Sequence, residues 1–144
     1  KKSHTSMRMG GKNSAFAPGL VMPKHEKIYP FVWPMESPNG DILAVRYNKG
    51  FYLLTPKGSL RRFVQQPEAS FRGRPVFLPD GTFLLGSAGA YFYGYQRDGS
   101  PWFRFFTGGR TVSSASYDAR RNVLYLGNLR GHLYALHTVH REKK

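Results

Sequence analysis

The chain contains no cysteine, which excludes disulfide bonds, thiolate zinc sites and cysteine nucleophiles and fits either redox compartment. Acids are scarce: 8 Asp and Glu stand against 22 Lys and Arg, a formal net charge of +14 over 144 residues. No apolar run approaches the roughly 18 residues that span a bilayer, so no transmembrane segment is expected. The sequence opens on Lys1 and shows no charged-then-apolar leader, which leaves localisation open. Helical periodicity is missing as well, since no stretch repeats its apolar residues at a 3.6-residue spacing.

What is present is apolar and aromatic material in short pieces. Hydrophobic residues make up 40% of the chain and aromatic residues 15%, more apolar surface than a disordered tail carries. The pattern predicts strands over Ile28–Met35, Asp41–Tyr47, Phe51–Thr55, Ser59–Val64, Pro75–Leu78, Thr82–Ser87, Tyr91–Gln96, Pro101–Thr107, Ser113–Tyr117, Asn122–Gly127 and His132–His137. Between them lie Asn39-Gly40, Lys57-Gly58, Asp80-Gly81, Asp98-Gly99 and Arg130-Gly131, pairs that supply the positive φ of tight turns. The domain is expected to be all-β. Residues 1–27 carry six bases against Glu26 and show no period, and read as an extended basic arm; 139–144 read as a basic tail.

A repeat organises the middle. Pro38-Asn39-Gly40 recurs as Pro79-Asp80-Gly81, Gly58-Ser59 as Gly99-Ser100, and Gly86 as Gly127, each at an offset of 41 residues. A 41-residue unit of four short strands has the size of a propeller blade. Three blades follow, over 28–64, 75–107 and 113–138. The third is incomplete, because its outermost strand should start near 140, where the sequence reads His140-Arg141-Glu142 and stops two residues later. Its fourth strand must come from the arm, from a partner or from residues beyond these.

The stretches Tyr91–Gly109 (YFYGYQRDGSPWFRFFTGG), Ser113–Asp118 (SSASYD) and Asn122–Leu136 (NVLYLGNLRGHLYAL) resemble the pyrroloquinoline-quinone-type (PQQ-like) β-propeller repeat. The resemblance implies a partial β-propeller, since propellers of that family close with six to eight blades. It also implies that Trp102 packs between neighbouring blades, with Gly86 and Gly127 as close-packing glycines. The family holds calcium- and quinone-dependent alcohol dehydrogenases, outer-membrane assembly lipoproteins that bind partners, and scaffolds, and it allows a periplasmic or secreted location. The dehydrogenase set of calcium-binding carboxylates, catalytic Asp, stacked Trp and vicinal disulfide cannot be assembled from these residues. A quinone enzyme would need its site on further blades, and no cofactor is expected here.

Other chemistry is thin. Asp80 and Asp98 stand in turns, where an aspartate caps its own backbone. His132 and His137, five apart in a strand, face opposite sides, which argues against a metal site. Ser113, Ser114 and Ser116 have no general base nearby, and Gly108-Gly109 precedes no helix that could hold a phosphate. The basic residues are the remaining signal: Arg61, Arg62, Arg72, Arg74, Arg110, Arg120 and Arg121 are expected on outer strands and loops, exposed to an anionic partner. The readings are a solvated basic surface, an acidic protein partner or membrane surface, and nucleic acid. A non-catalytic scaffold is preferred, with a protein partner or a second copy completing the propeller; a nucleic-acid-binding subunit and a fragment of a quinone-dependent dehydrogenase are the alternatives.

Overall fold

The computed structural model describes residues 31–112 and 114–138, with side chains from Pro34 onward. The arm expected over 1–27 and the tail over 139–144 lie outside the described residues. Eleven strands run along the described chain: β1 (Phe31–Glu36), β2 (Ile42–Arg46), β3 (Gly50–Leu54), β4 (Leu60–Gln65), β5 (Phe71–Phe77), β6 (Phe83–Ser87), β7 (Tyr91–Tyr95), β8 (Pro101–Phe106), β9 (Ser116–Asp118), β10 (Val123–Gly127) and β11 (Leu133–His137). One 3-10 turn, Pro67–Ala69, is the only helical element among the described residues. The strands form three antiparallel meanders, β1-β2-β3-β4, β5-β6-β7-β8 and β9-β10-β11. The all-β architecture of four, four and three strands is the one expected.

The turns explain the repeat. Gly40, Gly81, Gly58 and Gly99 all have φ between 85° and 88°, and each N–H closes a turn onto the carbonyl three residues earlier, as in Gly81 to Leu78 at 2.9 Å. This is the three-residue hairpin loop that ends on a left-handed residue. At the corresponding place in blade three stands Asn122, with φ 55°; asparagine is one of the few side chains that tolerates this region. Asp80, Asp98 and Asp118 each accept the backbone N–H two residues on, at 2.9 Å.

Blade two buries both faces, because blade one stacks on one of them and blade three on the other. Leu43, Val45, Phe51 and Leu53 of blade one pack on Phe71, Phe83, Leu85 and Tyr95 of blade two. Phe51 meets Phe83 and Tyr95 edge-on, with centroids 5.2 and 4.7 Å apart. Leu78, Leu84 and Phe92 on the other face of blade two pack on Ala115, Leu124 and Leu126 of blade three, with Trp102, Tyr134 and Leu136 against the same cluster. At the 41-residue offset, Leu43, Leu84 and Tyr125 are equivalent, as are Phe51, Phe92 and Leu133. The first two of each series are buried between blades, whereas Tyr125 is 38% and Leu133 77% exposed.

Some expected boundaries move. β5 starts at Phe71, four residues before the predicted Pro75, and the ladder to β6 shifts register between Arg72 and Val76. β1 has the same irregularity between Val32 and Met35, 41 residues earlier, and Pro34 and Pro75 occupy the two bulges. Proline has no N–H for a ladder, so it belongs where pairing is interrupted. The strand predicted over Ser113–Tyr117 is observed as β9, three residues later at its start. The link before it is held by Thr111, whose N–H donates to Ser87 O at 2.9 Å, and by Thr107, whose carbonyl accepts from Asn128 Nδ2 (2.8 Å) and Tyr134 Oη (2.7 Å).

Candidate functional site

All seven nominated arginines are exposed, but they do not form one patch. Arg61 and Arg62 lie on β4, the outer strand of blade one, and line a cleft of about 580 Å³ with Asn39, Asp41, Arg97 and Asp98 at the junction with blade two. Arg61 Nε sits 3.0 Å from Asp41 Oδ2. The hydroxyl and backbone N–H of Ser100 hold the Asp98 carboxyl below the usual carboxylate range, with Arg62 adding to the effect.

Arg72 and Arg74 are a correction. They lie on β5, the first strand of blade two, and not on an outer strand or loop, because the bulge carries Gly73, Arg74 and Pro75 within the strand. The segment Arg72-Gly73-Arg74-Pro75 lacks strand-forming residues, which hid it. Arg72 Nη2 donates to Tyr47 Oη at 2.8 Å and its guanidinium lies 4.7 Å from the centre of that ring. This hydrogen bond holds the Tyr47 hydroxyl below the ordinary tyrosine value, and Arg110 acts in the same direction. Tyr47 of blade one, Arg72 of blade two and Arg110 of the link to blade three therefore lie near one another. Arg74 donates its backbone N–H to Ser114 Oγ at 2.8 Å.

Arg120 and Arg121 occupy the β9–β10 turn of blade three. Arg121 Nη1 lies 2.8 Å from Asp118 Oδ2, which keeps the Asp118 carboxyl below its usual value, with backbone N–H bonds from the same turn adding. The other five arginines, Arg62, Arg72, Arg74, Arg110 and Arg120, have no carboxylate within ion-pair distance among the described residues.

Trp102 packs against the cluster shared by blades two and three, touching Phe103 edge-on at 4.8 Å. Gly86 is buried in β6 opposite Arg72. Gly127 is a second correction: a Cβ there would meet only the His132 carbonyl oxygen, at 3.7 Å, an ordinary contact, so close packing does not demand glycine. The glycines with crowded surroundings are others. A Cβ on Gly94 would lie 2.4 Å from Phe103, and one on Gly109 3.0 Å from Asn128 Nδ2. Sequence reasoning missed Tyr47 and Arg97. Tyr47 is 25 residues from Arg72 and carries no local signal; Arg97 could have been found from its place beside Asp98 in a turn facing blade one.

The second inter-blade junction has a cleft at the equivalent place, about 480 Å³, lined by Trp102, Phe103, Phe105, Leu124, Leu136, His137 and Thr138. Trp102 and Phe103 correspond to Arg61 and Arg62 at the 41-residue offset. The same site of the repeat is thus charged between blades one and two and apolar between blades two and three. No group of three or more His, Cys, Asp or Glu that could hold a metal occurs among the described residues, and no described helix is long and apolar enough to cross a membrane.

Antiparallel meanders stacked face to face at a 41-residue period define the chain as a partial β-propeller. No family profile and no curated protein matches the sequence. Solved structures do match. A computationally designed protein, Ika4, aligns with a TM-score of 0.62 at 7% identity, over 74% of this chain and 65% of that one. BamB from Moraxella catarrhalis, a PQQ-like β-propeller repeat protein, aligns at 0.56 and 14% over 74% of this chain and 32% of its own. A protein of unknown function from Bacteroides caccae aligns at 0.52 and 16%, over 79% and 48%. The chain spans less than two thirds of each, and likeness at such identities carries the fold.

Proposed function

We propose that the chain is a non-catalytic module of the PQQ-like propeller type that docks on an acidic protein partner through its arginines. The carrying observation is that five exposed arginines on three blades lack a carboxylate partner among the described residues. Guanidinium groups without a carboxylate partner are donors in a planar fork that suits carboxylates. Four of the six described carboxylates are engaged in structure: Asp41 pairs with Arg61, and Asp80, Asp98 and Asp118 serve their own turns. Likeness to BamB supports the propeller type.

The test is binding of the full chain to immobilised poly-L-glutamate at 150 mM salt, before and after reversing Arg62, Arg72 and Arg110 to Glu. The triple reversal is expected to weaken binding about tenfold or more while the fold persists, since each charge lies at an exposed rim. Unchanged binding would sink the proposal. So would tighter binding to a 20-base-pair RNA duplex with a steep salt dependence, the mark of phosphate contacts.

A further inference from the structure

The β6–β7 turn of blade two, the link from β8 to β9 and the β10–β11 turn of blade three enclose a cleft of about 360 Å³, inside the range of roughly 300–1,000 Å³ that small-molecule sites occupy. Among the described residues its only charged lining groups are Arg110 and Arg130; the rest is Leu129 and the glycines and alanines of 88–90 and 108–109. Neither guanidinium has a carboxylate within ion-pair distance among the described residues. The Arg130 stem crosses Gly109, where an added Cβ would lie 3.1 Å from Arg130 Cγ. The three loops are also tied to one another. The Thr107 N–H donates to Ala90 O at 2.7 Å, the Thr111 N–H to Ser87 O at 2.9 Å and the Leu129 N–H to Arg110 O at 3.0 Å. The backbone that carries both arginines is therefore braced before any ligand arrives, which lowers the ordering cost of binding.

The 41-residue offset shows how this junction differs from the one before it. Where blade one carries Tyr47, Asn48 and Lys49, blade two carries Ala88, Gly89 and Ala90; where the first link carries Glu68 and Ala69, the second carries Gly109 and Arg110. The later junction thus has less bulk, no acid and an added guanidinium. Packing accounts for Gly109, which Asn128 crowds, but a Cβ on Gly89 would meet only Ser87 Oγ, at an ordinary 3.6 Å. A carboxylate occupies one guanidinium fork, whereas a phosphate monoester brings three acceptor oxygens and close to two negative charges, which matches two guanidinium groups. We infer that this cleft binds the phosphate group of a compact phosphate monoester through Arg110 and Arg130. The site goes beyond the docking of an acidic protein, and Arg130 is not among the arginines reversed to test that reading.

The probe is methyl phosphate, titrated into the isotope-labelled full chain at constant ionic strength and followed at the amides of Gly89, Gly108 and Gly109 and the Nε–H groups of Arg110 and Arg130. Saturable shifts confined to this cluster are expected, with acetate at least about tenfold weaker. Arg130→Gln should weaken methyl phosphate at least about tenfold and leave poly-L-glutamate binding within about twofold, since one exposed rim charge carries little of that affinity. Gly89→Leu keeps every charge and fills the space, and should weaken methyl phosphate by a similar factor with an unchanged melt. Shifts spread evenly over the exposed arginines, equal affinity for acetate, or equal affinity in Arg130→Gln overturns the inference, and none of these readouts depends on how Gly89→Leu folds. A phosphoserine peptide that binds at least about tenfold tighter than methyl phosphate overturns it too, because the ligand would then be a protein. If methyl phosphate binds while poly-L-glutamate does not, the inference stands and the docking reading fails alone; if poly-L-glutamate binds while methyl phosphate does not, the inference fails alone.

Discussion

At the residue scale the packing between blades one and two contains a cost. Tyr95 is buried among Phe51, Phe71 and Phe83, with centroid separations of 4.7, 6.1 and 5.5 Å. Its hydroxyl finds no hydrogen-bond partner among the described residues. A buried unsatisfied hydroxyl costs about 1–3 kcal/mol, so Tyr95→Phe should raise stability by about 1 kcal/mol in urea unfolding. A loss of that size would show that the hydroxyl has a partner. Burial also raises the Tyr95 pKa well above the ordinary tyrosine value. The neutral form is the one the fold holds, so its contribution is complete below the unfolded value near 10 and is lost as pH rises from there toward the folded value. The wild-type melting temperature should fall above about pH 10, and Tyr95→Phe should flatten that fall in melts from pH 8 to 11.

At the scale of strands and turns, two glycines that both hold positive φ should behave differently. Gly50 starts β3 with φ 141°, and a Cβ there would lie 1.8 Å from the carbonyl oxygen of Val64 on β4. That atom is backbone in a paired strand and cannot step aside. Gly50→Ala should cost about 3 kcal/mol or more. Gly131 has φ 86° and nothing within 4 Å of the added carbon, so Gly131→Ala should cost about 1 kcal/mol, from backbone strain alone. Denaturant midpoints of the two variants check the order.

These turns were the most legible part of the sequence. A hairpin loop is a local structure, and Asn39-Gly40, Asp80-Gly81 and Asp98-Gly99 announce it within two residues. The start of β5 was not legible, because its residues satisfy the sheet through a bulge. Arg72 and Arg74 therefore lie on β5, the first strand of blade two, and not on the outer strands and loops expected, and both are exposed. The candidate site was half visible for the same reason: single arginines can be read from composition, but the pairing of Arg72 with Tyr47 depends on how blade two leans on blade one.

For the molecule as a whole, the 41-residue offset writes two faces into every blade. Ala44, Leu85 and Leu126 are equivalent on one face, with Tyr52, Tyr93 and Tyr134 and then Leu54, Tyr95 and Leu136 beside them. In blades two and three this face receives the preceding blade. The opposite face carries Leu43, Leu84 and Tyr125 and, one strand on, Phe51, Phe92 and Leu133. Blades one and two bury it; blade three leaves it open. The same register position thus has different energetic weight according to whether a blade follows. Phe92→Ala empties a buried site between two blades and should cost about 3–5 kcal/mol. Leu133→Ala, at the equivalent position on the open face, should stay within about 0.5 kcal/mol. Urea unfolding of both variants at low concentration decides the point, and a cost at Leu133 close to that at Phe92 would mean that the face is covered. Leu133→Lys goes further, since an exposed apolar patch on a sheet invites association. It should leave the unfolding midpoint unchanged and reduce any concentration dependence of the sedimentation coefficient.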